Sequence, residues 1–191
     1  KGRSYGIEFL VQQKLSNTIY GLLSYTWVRS EFKDLNGAYV PSSWDNKHIL
    51  NITAGKRLRK NWEIGMKFRL LGGSPYTPYD IQLSSRKDIW DVTQSGINDW
   101  SKLNTERNPL SHSLDVRVDK KWFYKKFALN LYFDIQNIYN ATVETQPYID
   151  VLRDQDNNPI QNPMDSQYYL IDEIENSGGN ILPSIGIMVE F

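Results

Sequence analysis

The sequence contains no cysteine, which excludes disulfide bridges, thiol catalysis and cysteine-ligated zinc. It has only two histidines, His48 and His112, too isolated from one another to argue a metal centre. Neither sign of charge prevails, since 22 basic residues balance 22 acidic ones and leave no global attraction for nucleic acid. No apolar run approaches the ~20 residues of a membrane-spanning helix. A glycine-rich phosphate loop, a nucleophile elbow and a paired-carboxylate site are all missing, so the residues point to no enzyme, no cofactor and no metal. Asp154, Asp156 and Asn158 imitate the start of a calcium loop, but Pro159 stands where that loop needs glycine, and a turn is expected instead.

What the sequence has is alternation. Ile185, Ile187, Val189 and Phe191 lie on one face of a terminal run, with Ser184, Gly186, Met188 and Glu190 on the other. That period of two belongs to a strand with different surroundings on its two faces. The same pattern recurs over residues 4–15, 18–32, 47–58, 62–70, 111–122 and 127–139, giving seven predicted strands with the segment 181–191. The second strand is long and its pattern admits either facing; Ile19, Gly21, Leu23, Tyr25 and Trp27 are assigned to the apolar face. The connections follow a rule of short, long, short, long, short, long. The YYLIDEI segment, residues 168–174, reads either as a hairpin extension or as a helical turn.

Short turns at one end and long loops at the other are the sequence signature of an outer-membrane barrel, whose strands look polar on average because only alternate residues face lipid. The expected fold is therefore all-β, an antiparallel up-and-down transmembrane β-barrel segment. Trp62, Trp122, Phe123, Tyr124, Phe127 and Phe191 all fall at the short-turn end, as an interfacial aromatic girdle would. An odd strand count leaves the first and last strands parallel, so seven cannot close as a regular antiparallel barrel. The expectation is that residues 1–191 are one part of a larger barrel whose remaining strands lie outside this chain.

Several passages resemble the C-terminal part of a TonB-dependent outer-membrane receptor: SYGIEFLVQQKL, WDNKHILNITAGKR, FRLLGGSPYTPYD, SLDVRVDKKWFYKKFALNLYFDIQNIYN and LPSIGIMVEF. Ser184, Gly186, Val189 and Phe191 are similar to the signal read by the barrel-assembly machinery. The resemblance implies about 22 strands around a plug domain in the outer membrane of a Gram-negative bacterium. It also implies import of a scarce nutrient (siderophore-iron, cobalamin, oligosaccharide or peptide) driven by the TonB complex through an N-terminal part. The implied partners are outer-membrane lipid, the protein's own plug and remaining strands, the assembly machinery and a small nutrient ligand.

The polar face, with Glu63, Lys67, Arg69, Asp115, Arg117, Asp119, Asn130, Asp134 and Gln136, would line the lumen, mostly as cross-strand pairs that satisfy the wall. Trp44, Tyr76, Tyr79, Trp90, Trp100, Tyr148, Tyr168 and Tyr169 lie in the long loops, where aromatics suit ligand capture or packing of loop on loop. The basic groups 56–60 and 120–126 sit at short turns, where solvated charge beside an interface explains them without nucleic acid. Two other classes compete: an outer-membrane lipase or protease using His48 or His112 as base, and a soluble β-sandwich that binds carbohydrate through its tyrosine-rich loops.

Overall fold

Seven long strands carry the alternation into three dimensions: β1 (Gly2–Ser16), β2 (Ile19–Lys33), β3 (Lys47–Leu58), β4 (Trp62–Leu71), β5 (Ser111–Phe123), β6 (Ala128–Gln136) and β7 (Leu182–Glu190). The computed structural model describes residues 1–191 and is all-β, with antiparallel sheets and two short helices. In the main sheet every long strand pairs with its chain neighbour, from β1 at one edge to β7 at the other, and the small strand Tyr39–Pro41 adds to β2. No helix is long and apolar enough to cross a membrane, which says nothing about strands.

The three short connections lie at one end of the sheet. At the first, Asn17 and Thr18 both take positive φ, 47° and 76°, as the tightest hairpin turns require. At the second, Arg59–Asn61 form a single 3-10 turn in which Lys60 is left-handed. At the third, the Tyr124 amide donates to the Phe127 carbonyl at 2.9 Å. The long connections, residues 34–46, 72–110 and 137–181, all emerge at the other end. β6 stops at Gln136, short of the expected boundary, because Asn137 turns left-handed (φ 52°) and its amide donates to Asp115 at 3.0 Å.

Register settles which residues share a face. Ile7 pairs with Trp27, Leu23 with Ile52, Ile52 with Phe68, Phe68 with Leu114, Val118 with Phe133, and Phe133 with Ile185. One apolar face therefore runs from edge to edge, and Ile19, Leu23, Tyr25 and Trp27 belong to it as expected. Nothing covers this face: Ile185 and Ile187 are 72% and 70% exposed, and every residue of β1 is exposed.

The consequence is visible in the total area. A compact monomer of 22.3 kDa would expose about 9,400 Å². This chain exposes 13235 Å², and only 11 of its 191 residues are buried. If half of the excess of roughly 3,800 Å² is apolar, hydration costs on the order of tens of kcal/mol, more than the whole stability of an ordinary domain.

The buried hydrophobic core lies among the long connections. Trp90 (1% exposed), Ile149 and Val151 form it, with Tyr79, Tyr169 and Ile171 packed around them. Trp90 comes from the second of two helices, α1 (Ile81–Ser85) and α2 (Lys87–Thr93). Asp80 caps α1 by accepting from the Leu83 amide at 2.8 Å. Ile149 and Val151 come from the strand Val143–Val151, which pairs with Ile171–Gly178 in a separate two-stranded sheet. The 168–174 segment is thus hairpin and not helical turn.

Candidate functional site

The polar face forms a wall of ion pairs toward the short-turn end. The Tyr20 hydroxyl donates to Glu63 Oε1 at 2.6 Å, and Arg57 Nε donates to Glu63 Oε2 at 3.2 Å. Arg117 grips Asp119 with two bonds of 2.8 Å, Asn130 Nδ2 adds a third at 2.9 Å, and the Arg117 guanidinium stacks 3.9 Å from the centre of the Tyr132 ring. Lys121 Nζ closes the row on Glu190 at 2.7 Å. Glu63 and Asp119 face each other across β4 and β5, so each acid needs its own arginine to offset the like charge. Tyr20, Arg57, Glu63, Arg117, Asp119, Lys121 and Asn130 line a cavity of about 560 Å³.

Two glycines make room for this wall. Tyr20 pairs with Gly55, so its ring lies over a position without a side chain on the way to Glu63. A Cβ on Gly55 would overlap the Tyr20 ring, and one on Gly186 would overlap Tyr132 in the same way. Further along, Lys67 lies opposite Asp115 yet forms no ion pair with it, and Arg69 is also without an acidic partner. Lys67, Asp115, Asp134 and Gln136 border a second cavity of about 340 Å³. The wall therefore has a neutralised end and a middle where charge of both signs stays available.

The long connections are tied together by Asp45, which is 0% exposed. Its Oδ1 accepts from the Ser30 amide at 2.8 Å and from Arg29 Nε at 3.1 Å, and its Oδ2 accepts from Arg107 Nη2. Arg107 also donates to the Gly73 carbonyl at 2.8 Å, and the pairs Arg29–Glu31 and Arg3–Glu31 extend the chain of charges to the sheet edge. Burial alone would push the Asp45 carboxyl up; the Ser30 amide and the two guanidiniums outweigh it and hold it below the ordinary carboxylate range. Asn104 completes the junction, donating to the Pro41 carbonyl at 2.7 Å while its amide donates to Thr77 Oγ1 at 3.1 Å. Nothing local in the sequence marks Asp45, since its partner Arg107 lies 62 residues away.

The loop aromatics separate into packing and display. Trp90 is enclosed in the loop core, so it packs and presents nothing to a ligand. Tyr79 and Tyr169 lean on it, and the Tyr169 hydroxyl donates to Asp91 at 3.1 Å. Tyr76 and Tyr168 are half-buried. Trp44, Trp100 and Tyr148 are exposed and remain free to meet a ligand.

At the short-turn end, Trp62 and Trp122 share the apolar face, with Lys120 Nζ 5.3 Å and 5.5 Å from the two ring centres. Tyr124 and Phe127 stack at 4.7 Å beside them. Phe123 lies at the same end of the sheet but on its other face. It follows Trp122 directly on β5, so it points to the opposite face and lines the polar cavity with Lys121. Of the terminal signal residues, Ser184 and Gly186 lie on the polar face and Val189 on the apolar one, while Phe191 follows β7 fully exposed.

A second aromatic band, unforeseen in the sequence, lies at the long-connection end. Tyr25 is hydrogen-bonded to His48 Nδ1 at 2.8 Å, and Tyr139 to His112 Nδ1 at 2.8 Å, with Tyr5 and Trp27 edge-to-face nearby. Both histidines are thus engaged with tyrosines. Asp154 closes its own turn by accepting from the amides of Asp156 at 2.9 Å and Asn158 at 2.8 Å, as expected of a turn. No protein-family model matches the chain, and a search of curated proteins returned no match.

Proposed function

We propose that this chain is the C-terminal segment of an outer-membrane β-barrel, and that the whole protein is a TonB-dependent receptor importing a scarce nutrient. The observation that carries this reading is the uncovered apolar face spanning seven antiparallel strands, bounded by aromatics at both ends. Lipid is the surrounding that makes such a face favourable, and closure with further strands is what satisfies the free hydrogen-bonding edges of β1 and β7. The short turns then lie in the periplasm and the long connections outside.

On this reading the polar face lines the lumen. Its paired end near Glu63 and Asp119 stabilises the wall, and the unpaired Lys67 and Arg69 lie along a hydrated path. Trp44, Trp100 and Tyr148 on the outer connections supply flat apolar surface for capturing siderophore-iron, cobalamin, an oligosaccharide or a peptide. The assembly signal is Ser184, Gly186, Val189 and Phe191.

The full-length protein is expected in the outer-membrane fraction as a band whose gel mobility changes on heating. Loss of its gene is expected to abolish energy-dependent uptake of one such nutrient. Recovery of the protein as a water-soluble monomer contradicts the proposal.

A further inference from the structure

The charges at the short-turn end are sorted by face. Three acidic side chains lie there, Glu63, Asp119 and Glu190. All three project from the polar face, where Arg57, Arg117 and Lys121 already engage them. The turns and the apolar rim carry Lys56, Arg59, Lys60, Lys120, Lys125 and Lys126, none of which has an acidic partner. Strand parity produces this separation. Lys56 pairs with Ile19 and Ile64, and Lys120 pairs with Trp62 and Leu131, so both belong to the apolar face while the acids alternate to the other side.

Lys120 shows how a cation is held there. Its ammonium lies within 5.5 Å of the ring centres of both Trp62 and Trp122 and donates to the Lys60 carbonyl at the turn. An ammonium delivered past two tryptophans to the edge of an apolar face matches a lysine that reaches from hydrocarbon to the headgroup layer. The surrounding cations leave that layer with uncompensated positive charge, and charge complementarity selects a negative occupant.

We infer that the short-turn rim around Trp62, Trp122 and Lys120 is a binding site for anionic phospholipid headgroups. The inference rests on the barrel reading and adds lipid selectivity to it. The tryptophans take the glycerol and upper acyl region, and Lys56, Arg59, Lys60 and Lys120 take the phosphate and its neighbours. Because the attraction is mainly between charges at the surface, it weakens as salt rises.

The test uses the full-length protein in detergent micelles containing equal phosphatidylglycerol and phosphatidylcholine, with native mass spectrometry counting retained lipids. Phosphatidylglycerol is expected to dominate the adducts. The combined Lys56→Gln, Arg59→Gln, Lys60→Gln and Lys120→Gln variant is expected to lose that preference, by about five-fold per cation removed at low salt. Lys120→Arg, which keeps the charge, is expected to retain it, and heat-modifiable gel mobility reports that each variant is folded. Equal retention of both lipids by the natural protein, or an unchanged preference in the folded quadruple variant, overturns the inference while leaving the barrel intact. A protein that binds neither lipid and stays monodisperse without detergent overturns the barrel reading, and the inference with it.

Discussion

The ring of Tyr20 lies across Gly55 and delivers its hydroxyl to Glu63, 2.6 Å away and two strands over. One aromatic residue thereby braces three adjacent strands, β2, β3 and β4, on the polar face. Gly55→Val inserts a branched side chain where the ring lies, and is expected to destabilise the assembled protein by about 1–3 kcal/mol. Tyr20→Phe keeps the ring and removes only the bond to Glu63, with an expected loss of about 1 kcal/mol. The midpoint of heat-induced mobility change measures both; a Gly55→Val protein as heat-resistant as the natural one refutes the brace.

Asp45 is the corresponding brace for the long connections. Asp45→Ala leaves Arg29 and Arg107 without their shared anion and is expected to loosen the connections by about 3 kcal/mol. Limited proteolysis should then cut residues 34–46 and 72–110 faster while the main sheet stays protected. Unchanged cleavage would show that the junction is not held by this carboxylate.

The same group sets an acid limit. Its folded carboxyl titrates below the usual value, so the stability it contributes is complete above about pH 4 and lost as pH falls through the depressed folded value. Hydrogen exchange in the Ser30 and Asp45 region is expected to stay slow from neutrality to about pH 4 and to accelerate below, once corrected for intrinsic rates. Asp45→Asn should show fast exchange at every pH. A natural protein whose protection declines between pH 7 and pH 5 would place the limit on another group.

Packing and display by the loop aromatics separate through two tryptophans. Trp90→Ala opens a hole in the loop core and is expected to cost about 3–5 kcal/mol of local stability. Trp100 is 68% exposed, and Trp100→Ala is expected to change stability by less than about 0.5 kcal/mol. If Trp100 captures nutrient, uptake falls in Trp100→Ala without any change in protease resistance. Equal destabilisation by the two substitutions would contradict the division.

The main sheet was legible because its information is local. Period-two patterning over residues 47–58 and the tight turn that follows predict β3 as it stands, Lys47–Leu58. Leu22 and Val28 blurred β2, and only the register of Leu23 on Ile52 and Tyr25 on Leu50 fixes its face. Position along the chain puts Trp122 and Phe123 at one end of the sheet, but adjacent strand residues point apart, so only Trp122 is on the apolar face. The loop core and the Asp45 junction were illegible, because Trp90 meets Ile149, and Asp45 meets Arg107, only after the sheet has gathered the connections at one end.

The central claim is that one face of the sheet meets lipid and the other meets water, and β4 offers the cleanest test. This chain has no cysteine, so single cysteines can replace residues 63, 64, 66, 67, 68 and 69 in the full-length protein, cleared of any cysteine elsewhere. In intact outer membranes, positions 64, 66 and 68 should resist a water-soluble maleimide and react with a lipid-soluble one, whereas 63, 67 and 69 should do the reverse. Reactivity with the water-soluble reagent at all six positions, without alternation, would contradict the account.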